Sequence, residues 1–258
     1  SLTVVNLPTN VGETISLAAA NSLVVVSPIA VGSGASGGAV TLTAGKGLTL
    51  GGKLTAGQLT ATAGSDLSMN TQVGVMNLDL NTANGATPSD LTISQEADGA
   101  AVANLTINTL DMSGGNVDIV ADGDVIINSI TGAVGKLRII STGGNVWIKS
   151  MADGGSVVIE ATGYVTLGNR SAWSVGATNT TVEAFTLNIK AGGDIIVYES
   201  DDVVIDQILS TSYGAVTVQA GGATTLNSAI DAQSKNVVLR TTSGQLSINA
   251  AVSSGGGT

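Results

Sequence analysis

Along much of this chain apolar and polar residues alternate in short stretches, and the stretches return at a nearly constant interval. Gly114-Gly115-Asn116-Val117-Asp118-Ile119-Val120-Ala121-Asp122-Gly123-Asp124-Val125-Ile126-Ile127 comes back as Gly135-Lys136-Leu137-Arg138-Ile139-Ile140-Ser141-Thr142-Gly143-Gly144-Asn145-Val146-Trp147-Ile148. It returns again as Gly154-Gly155-Ser156-Val157-Val158-Ile159-Glu160-Ala161-Thr162-Gly163-Tyr164-Val165-Thr166-Leu167, with later copies beginning at Leu187, Val216 and Val237. Strict alternation has the period of a β-strand, so each unit predicts two short strands. Val117, Ile119, Val125 and Ile127 face one side, while Asp118, Asp122 and Asp124 face the other. A glycine at nearly fixed phase (Gly123, Gly143, Gly163, Gly192, Gly221, Gly244) separates the strands and marks a corner.

Ile107, Ile127, Ile148 and Leu167 follow one another at intervals of about 20 residues. If each unit is one turn of a solenoid, these side chains stack into one interior ladder, and neighbouring units bury what no unit could bury alone. The expected architecture is all-β: a right-handed parallel β-helix with coils of about 20 residues, one solenoid domain over residues 1–258. At the inter-strand spacing of about 4.8 Å, roughly twelve coils make a rod about 60 Å long. Earlier stretches follow the same grammar less cleanly (Val40 to Leu50, Leu59 to Met69), and residues 1–35 alternate (Ile15, Leu17, Leu23, Val25) without a clear phase. No stretch carries a helical period, so almost no helix is expected.

Composition narrows the chemistry. The chain has 258 residues, 43% of them hydrophobic, but only 2% aromatic and 11% charged, with 35 glycines and 3 prolines. Turns therefore fall to glycine, asparagine and aspartate, which tolerate positive φ. Neither cysteine nor histidine occurs, which removes disulfides, the usual zinc sites and the histidine-based catalytic triads. Net charge is −10, and residues 54–135 hold nine acids and no Lys or Arg, so nucleic acid and anionic membranes would be repelled. No apolar run is long enough to insert in a bilayer, and no signal peptide opens the chain. Because the first residue is Ser1, the expectation is a mature or excised segment of a longer chain.

The units resemble the repeats of large bacterial exoproteins of the filamentous haemagglutinin and two-partner-secretion type, which read Gly-Gly-x-Val-x-Leu-x-Ala-x-Gly-x-Leu-x-Leu. The likeness covers about residues 37–69 and 114–250. It implies a secreted, extracellular protein of the bacterial surface, with a structural or adhesive function and no enzymatic one. The implied partners are further copies of itself or neighbouring solenoid segments, together with host-cell or matrix glycans.

Two intervals break the spacing, since Leu167 to Val197 and Val197 to Leu226 are each roughly half as long again as the basic unit. Longer coils or insertions are therefore expected near 168–183, with Arg170 and Trp173, and near 198–213, with Glu199, Asp201, Asp202 and Asp206. Insertions in a solenoid form loops on one face, often the binding face, although they also serve merely to cover the core. The second cluster carries the alternative reading, a carbohydrate-active β-helix hydrolase or lyase. Asp201-Asp202 resembles the aspartate pair of β-helix polygalacturonases, but the Gly-His-Gly and Arg-Ile-Lys segments of that family have no counterpart here. Convergence of these carboxylates with Arg170 in a groove would favour the enzyme.

Three further expectations concern the surface. Asp118, Asp122 and Asp124 lie near one corner and could supply oxygen ligands to calcium, the one cofactor considered. Asp118 could instead pair with Arg138 one coil later, as Glu160 could with Lys190. Ile126, Trp147, Thr166, Ile196 and Thr225 form an expected outward row whose apolar members suit lateral packing, with Trp147 as a candidate binding residue.

Overall fold

The computed structural model describes residues 1–5, 14–31, 37–80, 89–96, 104–168, 182–210, 214–233 and 235–254, with backbone only at 182–185. Among them are twenty-four strands and no helix. Every pairing is parallel, and most strands lie between the strand one coil earlier and the strand one coil later. This is a parallel β-helix of about 21 residues per coil.

One inward-facing row runs the length of the described chain: Leu2, Leu23, Leu48, Leu67, Leu91, Val117, Leu137, Val157, Leu187, Ile205, Leu226 and Ile248. Its eleven steps at about 4.8 Å give a rod about 53 Å long. A second row contains the predicted ladder and extends it both ways, from Ile15, Val40, Leu59 and Met76 through Ile107, Ile127, Ile148 and Leu167 to Val197, Val218 and Leu239. Between their terminal rungs the described members of both rows are buried. Full burial of such a side chain contributes about 1.5–3 kcal/mol, and the rows meet in a single apolar core.

The register corrects the expected spacing twice. Near the start, Ile15, Leu17, Leu23 and Val25 belong to the same rows as the later repeats, standing on Val40, Leu42, Leu48 and Leu50. This coil is several residues longer than the basic unit, which hides its phase from a search at that interval. Farther on, Val197 stands on Val218, and Ile205 on Leu226, each a single ordinary coil apart. The interval 198–213 therefore holds no insertion. Its described part continues one paired strand, Ile195–Glu199, and contains another, Val203–Ser210. The sequence units drift against the faces of the solenoid here, because Leu187 stands on Ile205 after less than a usual coil. The long interval from Leu167 to Val197 is real, since those two residues are direct neighbours in the stack.

Corner glycines are required mainly for space. A Cβ on Gly143, Gly192 or Gly221 would collide with the carbonyl oxygen of Asp122, Thr162 or Ser200 in the coil before. Of the six predicted corner glycines only Gly244, at φ 88°, has a left-handed backbone. The expectation that positive φ sets the glycine content is corrected accordingly.

Candidate functional site

The corners are stitched by aspartate and asparagine. Each sits just before a strand and accepts, through Oδ1, the backbone N–H of the corresponding residue one coil later. Asp66 receives Asp90 N at 3.0 Å, and Asp90 receives Asn116 N at 2.7 Å. Asn104 receives Asp124 N at 2.9 Å, Asp124 receives Asn145 N at 2.8 Å, and Asn145 receives Tyr164 N at 3.0 Å. Asp194 and Asp202 repeat the bond to Ala215 N and Ala223 N, at 2.8 and 2.6 Å. The inter-coil spacing leaves these N–H groups facing the side chain below, so one acceptor per corner satisfies a group that would otherwise be unpaired.

This arrangement disperses the calcium candidates. Asp124 also accepts from Asn145 Nδ2 at 2.9 Å, Asp122 accepts from Thr142 Oγ1 at 3.2 Å, and Asp118 is held by Arg138 Nη1 at 2.7 Å. Among the described residues no group of three or more acidic side chains is placed to hold a metal ion. The Asp118–Arg138 pair is the one the register predicts. Glu160 and Lys190 are also in register, but no ion pair joins them.

The four carboxylates of 199–206 part company. Glu199 occupies an interior row, on Ala220 and above Val182, and is fully buried. Its Oε1 accepts Ser200 N at 3.1 Å. Asp201 is exposed at the corner, Asp202 is spent on Ala223 N, and Asp206 points outward toward Asn227 Nδ2 at 3.5 Å. These side chains do not converge. A groove of about 470 Å³ does open along Ile140, Thr142, Glu160, Thr162 and Lys190, but none of the four lines it. Arg170 and Trp173 lie outside the described residues.

The outward row is Ile126, Trp147, Thr166 and Ile196, followed by Thr217 and Val238 instead of the expected Thr225. Trp147 is 38% exposed, with Lys149 Nζ 4.9 Å from its ring centroid, and Tyr164 is exposed one coil on. Tyr198 breaks the pattern. Alternation sends it outward, yet it is buried, so the end of Ile195–Glu199 is covered on both faces.

Among the described residues two long polar side chains, Gln95 and Glu199, are buried in the interior, beside the smaller Thr71, Ser89, Ser141, Ser210 and Thr224. Gln95 takes a buried strand-end position and satisfies itself there, accepting Thr71 Oγ1 at 2.6 Å and donating to Val73 O and Asn104 O, both at 3.0 Å. Glu199 is the other. Both fall where the units place Ala121, Ala161, Ala191 and Ala220, and that mismatch is the sequence signal for them. Compared with protein-family models, curated proteins and solved structures, the chain matches none.

Proposed function

We propose that this chain is a structural and adhesive segment of a secreted bacterial surface fibre or extracellular filament, whose contribution is rigid length. The observation that carries this reading is the inward row from Leu2 to Ile248, which crosses every described coil and makes one uninterrupted rod. Such a rod resists bending because each coil is joined to the next by backbone hydrogen bonds on several faces. The repeat resemblance supports the extracellular setting, and the exposed Trp147 and Tyr164 supply adhesive surface. The carboxylates offered for sugar-bond cleavage support no enzyme, being divided between the core, the corners and an outward row.

The test pairs imaging with an activity screen. Electron micrographs of the purified chain at low concentration should show rods about 53 Å long, eleven spacings of about 4.8 Å. Incubation with pectic, cellulosic and chitinous polysaccharides should release no new reducing or unsaturated ends. Cleavage that disappears in Asp201→Asn or Asp202→Asn would overturn the proposal in favour of the enzyme.

A further inference from the structure

The groove along Glu160 and Lys190 reaches the core of the solenoid. Thr71, Gln95, Ala121, Ser141, Ala161, Ala191 and Ser210 form one inward-facing row. Every member is buried except Ala161, which is half-buried and lines the groove. The wall is thus open at one rung in the middle of the rod, and the opening has an apolar floor. Ile140 flanks that floor from the coil before, and about 470 Å³ of space lies over it.

The rim carries a charge of each sign. Glu160 and Lys190 are direct neighbours on adjoining strands, about 4.8 Å apart at the backbone, and both are exposed. On the same face Asp118 and Arg138 have the same register relation, and their side chains close to 2.7 Å. Glu160 and Lys190 form no such bond and stand at the edge of the groove instead. Thr142 and Thr162 complete the rim. Their hydroxyls donate to Asp122 Oδ1 at 3.2 Å and to Gly144 O at 3.4 Å, which leaves their oxygens as acceptors.

We infer that this groove binds a free apolar α-amino acid, with its ammonium on Glu160, its carboxylate on Lys190 and its side chain over Ala161 and Ile140. The charges of an α-amino acid sit close together, as do two protein charges on adjoining strands. A ligand with a single charge satisfies one rim group and meets the other as a like charge. An anion would face Glu160 in a chain of net charge −10, and a cation would face Lys190. An uncharged ligand such as a sugar displaces water from both rim groups and compensates neither with a charge. A zwitterion compensates both through charge-assisted hydrogen bonds, the stronger kind, and its apolar side chain covers the open rung. The site uses neither Trp147 nor Tyr164 and stands independently of an adhesive function.

Isothermal titration of the 258-residue chain with L-leucine, N-acetyl-leucine, leucine amide and glucose tests the inference. L-Leucine should bind saturably at a single site. Removing its positive charge in N-acetyl-leucine, or its negative charge in leucine amide, should weaken binding about tenfold or more, the loss of one charge-assisted bond. Glu160→Gln should weaken L-leucine by a similar factor without weakening N-acetyl-leucine further, and Lys190→Gln should do the same with respect to leucine amide. Both side chains are exposed, so sheet circular dichroism and melting temperature should be unchanged in either variant. No saturable binding of L-leucine, equal binding of the blocked forms, or binding indifferent to both substitutions would overturn the inference. Tighter binding of glucose than of L-leucine would overturn it as well, in favour of a sugar. None of these outcomes bears on the rod, which imaging tests separately.

Discussion

Glu199 stands on Ala220 in an inward-facing row, its carboxylate enclosed where the neighbouring units put a methyl group. An ion taken out of water costs several kcal/mol unless its surroundings compensate, and the Ser200 N–H is one group that does so. Reversing the charge removes that compensation and adds bulk. Glu199→Lys should cost about 3–5 kcal/mol by denaturant unfolding, whereas Glu199→Gln, keeping shape and acceptor, should cost about 1 kcal/mol. Equal effects from the two would show the site to be solvated.

The corner acceptors yield a second contrast. Asp124 holds Asn145 through two bonds, at the backbone N and at Nδ2, while Asp118 meets Arg138 on an open face. Asp124→Ala should lose about 1–3 kcal/mol, the cost of stranding a donor. Asp118→Ala should lose at most about 1 kcal/mol, as surface ion pairs do. Thermal melts of the two variants, with and without calcium, should keep this order and show no calcium dependence.

Adjacent glycines make a third. A Cβ on Gly192 would strike the Thr162 carbonyl, whereas on Gly193 its nearest neighbour would be 3.6 Å away. Gly193→Ala should therefore be tolerated within about 0.5 kcal/mol, as ordinary surface changes are. Gly192→Ala should lower the melting temperature clearly, because backbone stacked on backbone has nowhere to move.

Trp147 projects from the outward row and contacts Lys149. Trp147→Asp should leave the sheet circular dichroism unchanged and cost no more than about 1 kcal/mol. If adhesion or lateral bundling uses this row, the variant should lose it while still forming rods. Bundling unchanged from the unsubstituted chain would remove Trp147 from any contact surface.

The architecture was legible because alternation and a regular return both follow from strand geometry, and both are written plainly from Val117 to Leu167. Residues 1–35 obscure the phase because the coil from Ile15 to Val40 is several residues longer than the basic unit, and composition carries no sign of which turns lengthen. Matching Leu187 to Val216 as successive units is sound as grammar and wrong in space, since strands Val182–Ala191 and Ile195–Glu199 each seek the face below them in the stack. Glu199 stands out in the sequence as one of a row of acids, and its burial is hidden while alternation is read from apolar residues alone. The corner aspartates look like free ligands for the same reason. A side chain that accepts a backbone N–H one coil away has no local sequence signature beyond its place before a strand.

The chain contains no cysteine, so paired substitutions can read its register directly. Ile196 and Thr217 lie side by side on the outward row, within reach of a disulfide, whereas Ile196 and Thr225 belong together only if 198–213 is an insertion. The measurement is mass-spectrometric mapping of oxidised Ile196→Cys, Thr217→Cys and of Ile196→Cys, Thr225→Cys. A continuous solenoid predicts an intramolecular cross-link in the first pair and free thiols in the second. A cross-link at 196–225 with none at 196–217 would contradict this register and restore an insertion at 198–213.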